Sequence, residues 1–171
     1  TGIFFDQRDN QAFAAQLSQG ADVLDVFSHV GGFGLAALAG GATSALAVDG
    51  SAPALELATE GAKASGVSER FETRVSDAFD ALVALAEEGR TFDVVICDPP
   101  ASQGKSFTAR QHWPKLVRKL PELVSPGGEI LACLNAPDLG PDYLDQLFSE
   151  CLPNSRRSEL LMSGADFPEA S

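Results

Sequence analysis

An apolar run that breaks into a cluster of glycines is the feature that most constrains how this chain can fold. Residues 22–34 read DVLDVFSHVGGFG, and the small-residue stretch LAALAG continues from there. Continuous apolar runs of this kind are typical of parallel strands that are buried on both faces. Glycines let the backbone turn sharply and approach another group closely, and the small residues that follow suit a packed helix. The segment therefore predicts a strand, a tight turn and a helix whose first N–H groups face the turn.

Strand-like apolar runs alternate with helix-like stretches along all 171 residues. Strands are predicted at 22–27, 44–49, 70–75, 92–97, 128–134 and 156–162. Helices are predicted at 9–18, 33–40, 52–65, 77–88, 108–124 and 141–151. This alternation predicts one α/β domain over residues 1–171, a Rossmann-like, doubly wound, mostly parallel sheet with helices on both faces. We further expect Gly66 to end the third helix and Pro126-Gly127-Gly128 to form a turn before a strand.

The net charge of −12 argues against a free-standing nucleic-acid binder, because such proteins are usually basic. The chain alone should therefore bind polyanions poorly. A local exception is the basic cluster formed by Lys105, Arg110, Lys115, Arg118 and Lys119. A nucleic-acid substrate would need further basic regions outside this chain.

The composition also bears on membranes, metals and compartment. No apolar run approaches the roughly 20 residues that span a membrane, and no signal peptide is recognisable, so we expect a cytoplasmic protein. The three cysteines, Cys97, Cys133 and Cys151, lack the spacing of metal ligands. Cys97 and Cys133 lie in apolar runs that suit buried free thiols. The sequence therefore predicts no metal site and no engagement with a membrane.

Acidic residues stand at the end of one predicted strand and just after two others, and parallel strands end at one common edge of a sheet. Asp49, the last residue of the second strand, can hydrogen-bond the two hydroxyls of a ribose or cap the next helix. Asp77, after the third strand, can accept a hydrogen bond from an adenine amine or cap its own helix. Asp98 precedes Pro99 and Pro100, which fix an extended loop where the acid can hold the edge of a nucleobase. Together these positions predict a site for a nucleotide-type ligand.

The glycine spacing argues against a dehydrogenase, and the Asp98-Pro99-Pro100 motif favours a methyltransferase. Gly32 and Gly34 begin a G-x-G-x-x-G pattern, but Ala37 stands where its third glycine falls. A nicotinamide-linked oxidoreductase stays an alternative, because Asp49 would suit the ribose of a nicotinamide cofactor as well as that of a methyl donor. The non-enzymatic alternative is a domain that binds a cofactor without activity of its own.

Several stretches together resemble class I S-adenosylmethionine methyltransferases. More narrowly, they are similar to the bacterial family that methylates large-subunit ribosomal RNA, in which a PUA RNA-binding domain precedes the methyltransferase domain. The stretches are GIFFDQR from Gly2 with Asn10, LDVFSHVGGFG from Leu24, AVDGS from Ala47 with Ala54 and Leu55, and FDVVICDPP from Phe92. The resemblance covers nearly the whole chain and implies methyl transfer from S-adenosylmethionine to a base of ribosomal RNA.

The resemblance also implies a role for each matching residue. The N-terminal segment 1–20 would flank the cofactor, and its residues beside the methionine end would be Phe5, Asp6, Gln7 and Arg8. The methionine part would be lined by Phe27, Ser28, Gly31 and Gly32. The ribose and adenine would contact Asp49, Gly50, Ser51, Asp77 and Ala78. Asp98 would border both the cofactor and the methyl acceptor, and the acceptor would also face Pro99 and Pro100.

The loop after the fifth strand departs from the family pattern. Members that methylate carbon-5 of cytosine carry a catalytic Cys there, whereas this chain reads ACLNA and places Asn135 at that position. Cys133 lies two residues earlier, about 6.5 Å back along the strand, so we expect no covalent adduct through Cys133. Instead we expect Asp98 and Asn135 to position the acceptor. The family also continues with a further strand, so we expect this chain to stop before the last strand and to lack the PUA domain.

Overall fold

A computed structural model describes residues 7–100, 108–136 and 139–158 of the chain. The described strands are β1 (Asp22–Val26), β2 (Ser44–Asp49), β3 (Phe71–Val75), β4 (Phe92–Cys97) and β5 (Val124–Ala132). The described helices are α1 (Arg8–Leu17), α2 (Gly32–Ala39), α3 (Ala52–Ala64), α4 (Ala78–Glu87), α5 (Ala109–Lys119) and α6 (Pro141–Cys151). Short 3-10 turns cover Ser68–Arg70 and Leu120–Glu122.

The strands form a parallel sheet in the order β3-β2-β1-β4-β5. In the centre, Val23 of β1 lies opposite Ala45 of β2 on one side and Val94 of β4 on the other. Each connection runs through a helix, as parallel pairing requires. The strand order reverses beside β1. Ligands of open α/β sheets bind at such a reversal, so the topology predicts a ligand site at the carboxyl ends of β1 and β4.

Alternate residues of the central strands face two separate apolar layers. Leu24 and Val26 face the layer that contains α4, α5 and α6, where the side chain of Trp113 is fully buried. Val23 faces the opposite layer, which α1 and α2 cover, and Leu55 of α3 packs beside it against Ala47. The predicted Rossmann-like α/β sheet, covered on both faces, is confirmed.

Two helix details explain how the sequence forms these elements. Gly66 adopts a φ of 70° directly after α3, and the Val67 N–H bonds back to the Ala62 carbonyl at 2.9 Å, so the predicted glycine stop is confirmed. Inside α5, Pro114 has no N–H to donate to the carbonyl of Arg110. The Tyr143 hydroxyl of α6 donates to that carbonyl at 3.3 Å and so joins the two helices.

Three predicted elements differ from the structure. The helix predicted at 108–124 ends at Lys119, and a 3-10 turn that includes Pro121 follows. The predicted turn at 126–128 instead lies inside β5 as a bulge, because the pairing moves from Phe92–Val124 directly to Val94–Glu129. Residues 156–158 do not form the start of the strand predicted at 156–162, and the rest of that strand lies outside the described residues.

Over the described ranges, no helix is both long enough and apolar enough to cross a membrane. Within the same ranges, no group of three or more His, Cys, Asp or Glu side chains could hold a metal ion.

Candidate functional site

The turn after β1 is held in an uncommon backbone conformation. Phe27 and His29 both have positive φ values, of 63° and 50°, which cost a non-glycine residue on the order of 1–2 kcal/mol each. Backbone bonds compensate, because the Ser28 N–H donates to the Val48 carbonyl at 3.0 Å and the Gly31 N–H donates to the Ser28 carbonyl at 2.8 Å. Strain that the surroundings maintain in this way is common at ligand sites. The side chain of Ser28 is buried at the start of this turn, and its Oγ has no partner among the described residues.

Gly31 is required by its left-handed backbone conformation and by close packing, and Gly32 lies against the flexible side chain of Gln11. Gly31 has a φ of 72°, and a Cβ added there would lie 3.0 Å from both Ala58 and the ring of Phe71. A Cβ at Gly32 would lie 2.8 Å from the amide nitrogen of Gln11 in α1. The glycines therefore let the turn pack against its own neighbours, which the sequence analysis, with its attention to ligand approach, did not anticipate.

Asp49 holds the turn from the end of β2. Its carboxylate accepts the His29 N–H at 2.9 Å and the Ser51 N–H at 2.8 Å. The cap of α3 is Ser51, whose hydroxyl accepts the Ala54 N–H at 3.4 Å, so the helix-cap alternative for Asp49 is wrong. Each carboxylate oxygen can accept about two hydrogen bonds, so both keep acceptor capacity for a diol.

Asp77 lies at the neighbouring strand end. Its side chain accepts the N–H groups of Phe79 at 2.8 Å and Asp80 at 3.4 Å, which confirms it as the cap of α4. Ala78 follows as the buried first residue of that helix. The Ser76 N–H donates to the Asp49 carbonyl at 3.0 Å, so the loop that carries Asp77 adjoins the loop of Gly50 and Ser51.

Asp98, Pro99 and Asn135 come together at the ends of β4 and β5, although 37 residues separate Asn135 from Asp98. The side-chain amide of Asn135 donates to Asp98 Oδ1 at 2.7 Å and to the Pro99 carbonyl at 2.9 Å. The Asp98 N–H lies 3.4 Å from the carbonyl of Val26, so this group borders the end of β1. Pro100 is the last described residue before the gap at 101–107.

Asp25 is a site residue that the sequence analysis missed. Its side chain is fully buried near the carboxyl end of β1, and its Oδ2 accepts the Gly34 N–H at 2.9 Å. Burial raises its pKa to about 8, and the nearby carboxylates of Asp98 and Asp49 add to the rise. The available signal was an acid between Leu24 and Val26, because burial of a carboxyl group is costly unless it is hydrogen-bonded or paired.

The cysteines beside the site are protonated thiols. Burial raises the pKa of Cys97 to about 12, and the pKa of Cys133 lies well above its ordinary value for the same reason. A hydrogen bond to Asp98 and the negative charges of the site add to the rise at Cys133. A thiol held in this form is a poor nucleophile.

The N-terminal part of the predicted site is only partly described. Phe5 and Asp6 lie outside the described residues. Gln7 is buried and accepts a hydrogen bond from the Asn10 amide at 2.6 Å, and Arg8 begins α1 with an exposed side chain. Helix α1 reaches the glycine turn through the contact of Gln11 with Gly32.

Solved structures share this sheet and the order of its elements. A methyltransferase solved with S-adenosylhomocysteine, SMU.776, superposes with a TM-score of 0.89 at 27% identity, over 98% of this chain and 46% of that one. An S-adenosylmethionine-dependent methyltransferase from Streptococcus mutans gives the same TM-score and identity, over 98% of this chain and 45% of that one. The fold is therefore that of a Rossmann-like methyltransferase.

The family follows from the sequence comparison. Residues 1–171 match the family described as S-adenosylmethionine-dependent methyltransferase, and the chain belongs to that family. It is 31% identical to ribosomal RNA large subunit methyltransferase I of Aeromonas hydrophila, over 98% of this chain and 44% of that protein. It is 37% identical to the protein of the same name from Photobacterium profundum, over 82% of this chain and 37% of that protein. The chain thus spans less than half the length of these curated relatives.

Proposed function

We propose that this chain binds S-adenosylmethionine across the carboxyl ends of β1 and β2 and transfers its methyl group to a base of ribosomal RNA. The observation that carries the proposal is the Asp49 carboxylate, which is fixed by two backbone N–H groups beside the strained turn. A carboxylate at this position suits the two hydroxyls of the cofactor ribose. Family membership decides against the nicotinamide-linked alternative.

The remaining residues divide into a cofactor part and an acceptor part. The turn of Phe27, Ser28 and the following glycines would hold the methionine end. The loops that carry Gly50, Ser51, Asp77 and Ala78 would enclose the adenine. The cofactor supplies an electrophilic methyl group on a sulfonium, so the work of the protein is to align the acceptor with it. Asp98, Pro99, Pro100 and Asn135 would provide that alignment.

The substrate assignment rests on the relatives and on the charge distribution. The relatives are named for large-subunit ribosomal RNA. Helix α5 follows the Asp-Pro-Pro loop and carries four cations and no acid, in a chain whose net charge is −12. Three of these cations, Arg110, Lys115 and Arg118, have exposed side chains. RNA would contact this helix, but most of its affinity would come from regions outside these residues, and the site of action would be the cytoplasm.

Calorimetry with S-adenosylhomocysteine tests the cofactor site. Asp49→Ala should weaken binding about tenfold or more, because hydrogen bonds to charged groups contribute about 1.5–3 kcal/mol. Asp49→Asn keeps the shape of the side chain and removes its charge. Glu60→Ala, at an exposed position of α3, controls for the loss of one negative charge. Unchanged affinity in Asp49→Ala would refute the ribose assignment.

Transfer is tested separately with a radiolabelled methyl donor and an unmodified transcript of bacterial large-subunit ribosomal RNA. We expect the unaltered chain to incorporate methyl groups into the transcript and Asp98→Ala to incorporate none. Cofactor binding without incorporation into any RNA would favour a cofactor-binding domain that has no activity of its own.

A further inference from the structure

Two cations on the exposed face of α5 take no part in holding the fold together. The opposite face of the helix packs Trp113, Leu116 and Val117 into the core, which fixes how the helix is turned about its own axis. The side chains of Lys115 and Arg118 are exposed, and within the residues that the structure describes neither belongs to an ion pair. The two residues stand about 4.5 Å apart along the helix axis, so they form a row that runs along it.

Helix α5 leads away from the candidate site. Near its beginning, the ring of His112 lies 5.7 Å from that of Phe79, the second residue of α4, so both helices start at the carboxyl edge of the sheet. Beyond its end, the Leu123 carbonyl accepts the N–H of Phe92, the first residue of β4, at 2.8 Å, and this contact marks the amino edge. A polymer that leaves the site can therefore follow α5 for about 16 Å, the length of its 11 residues.

Acidic helices lie on both sides of α5, because α4 leads into β4 and α6 follows β5 in the same layer. Exposed carboxylates stand at Asp80 and Glu87 of α4 and at Asp142 and Glu150 of α6. Neither helix contains a Lys or Arg, and over the described ranges no ion pair neutralises these four groups. Packed helices lie about 8–10 Å apart, close to the Debye length of about 8 Å at physiological salt. A phosphate displaced sideways from α5 therefore meets repulsion in both directions.

We propose that the exposed face of α5 holds one strand of RNA as it leaves the acceptor end of the site, and that the carboxylates of α4 and α6 exclude a duplex. The inference rests on the proposed function and deepens it, because it names the form of RNA that the chain accepts. One strand can place successive phosphates on Lys115 and Arg118 while it stays clear of both acidic helices. The substrate is thus an unpaired stretch, such as a loop, a bulge or an opened segment.

A duplex does not fit this charge pattern. Proteins that hold double-stranded RNA contact phosphates of both backbones across a groove, so they need cations on both sides of the contact. Here a single cationic row has an acidic row on each side. When one backbone of a duplex lies along α5, the other lies over α4 or α6, where it meets like charge.

The first test compares two forms of one RNA. Fluorescence anisotropy follows binding of the chain, saturated with S-adenosylhomocysteine, to a labelled RNA of about 12 nucleotides at about 50 mM salt, where phosphate contacts are strong. We expect the single strand to bind about fivefold or more tightly than the same strand annealed to its complement. This preference is diagnostic, because attraction to phosphate density alone would favour the duplex.

Charge reversal then locates the contact. Lys115→Glu should weaken binding of the single strand about fivefold, because it removes a phosphate contact and repels the strand. Lys63→Glu makes the same change of charge at an exposed position of α3, in the opposite layer, and should alter the affinity by less than about twofold.

Neutralising the acidic rows tests their role directly. Glu87→Gln combined with Glu150→Gln should raise the affinity for the duplex more than that for the single strand, so the preference should fall about threefold. The matched control combines Glu56→Gln with Glu60→Gln, which removes two exposed carboxylates from α3. That control should leave the preference unchanged.

Any of four results would overturn the inference: equal or tighter binding of the duplex, equal losses in Lys115→Glu and Lys63→Glu, a preference that survives neutralisation of α4 and α6, or no binding of either RNA at low salt. Failure of the chain to bind S-adenosylhomocysteine is a different result. It counts against the proposed function, and calorimetry detects it before any RNA is added.

Discussion

We expect Asp25→Asn to remove a pH dependence of stability that this one carboxyl imposes. Asp25 is fully buried, and its pKa in the folded chain is about 8, against an ordinary value of 3.8. Between these two pH values the folded chain keeps the proton while the unfolded chain has lost it. Raising the pH therefore favours the unfolded state, so the contribution of Asp25 to stability falls through this window and levels off above about pH 8.

The size of the effect follows from the width of the window. Each pH unit changes the free energy of unfolding by about 1.4 kcal/mol, so a window of about four units amounts to roughly 6 kcal/mol. Asn is neutral throughout, and its side-chain oxygen can still accept the Gly34 N–H, so the variant should lack this slope while keeping the contact.

The assay is urea unfolding from about pH 5 to about pH 8, followed by the fluorescence of Trp113, the single tryptophan, which is fully buried. The measured quantity is the difference in unfolding free energy between Asp25→Asn and the unaltered chain. We expect that difference to move in favour of the variant by about 1 kcal/mol or more per pH unit. Glu60→Gln, at an exposed position, controls for the loss of one carboxylate. A difference that stays constant with pH would refute the argument.

Three further outcomes are expected. Gly40→Ala should lower the unfolding free energy by about 3 kcal/mol, because the new Cβ would lie 2.1 Å from a backbone oxygen of α1. Gly66→Ala has open space around its new Cβ and meets only the cost of a positive φ. Its unfolding free energy should therefore fall by about 1–2 kcal/mol in the same urea titration. Binding of ribosomal RNA fragments by the chain should be weak and steeply salt-dependent, and reversing both Lys115 and Arg118 to Glu should lower the slope of log affinity against log salt by about two in filter binding; an unchanged slope would place the contacts elsewhere. RNA that carries 5-fluorocytosine should form no denaturation-resistant complex with the chain on electrophoresis, and a complex that disappears in Cys133→Ala would contradict the raised pKa of that thiol.

The fold could be predicted from the sequence because its signals are local. The apolar run at 22–27 and the acid that ends the run at 44–49 mark strand ends that the structure places at one edge. The bulge at 126–128 could not be predicted in this way, since a Pro-Gly-Gly segment has the composition of a turn, and only the pairing of β5 with β4 places it inside a strand.

Packing explains what the sequence reasoning missed at the site. The glycine at position 31 was read as space for a ligand, yet Ala58 and Phe71, 27 and 40 residues further along the chain, occupy the space that a side chain there would need. The role of Asp25 depends on complete burial beneath the start of α2, where the Gly34 N–H donates to its carboxyl group. Asp98 and Asn135 were assigned to the acceptor from comparison with a family pattern. Their direct hydrogen bond depends on the path that the chain takes after β5, and the order of residues alone does not specify that path.

The strand order has a consequence for how the chain reaches this structure. β1 and β4 are neighbours in the centre of the sheet, yet the bond from the Asp22 N–H to the Asp93 carboxylate joins residues that are 71 positions apart. Pairs so distant in sequence form late, because the entropy of closing the intervening chain must be overcome first. During synthesis β1, β2 and β3 emerge first, and β1 keeps an open, apolar edge until β4 arrives. That interval exposes a strand edge that can pair with another chain, so newly made protein is open to aggregation until β4 completes the crevice that holds the site.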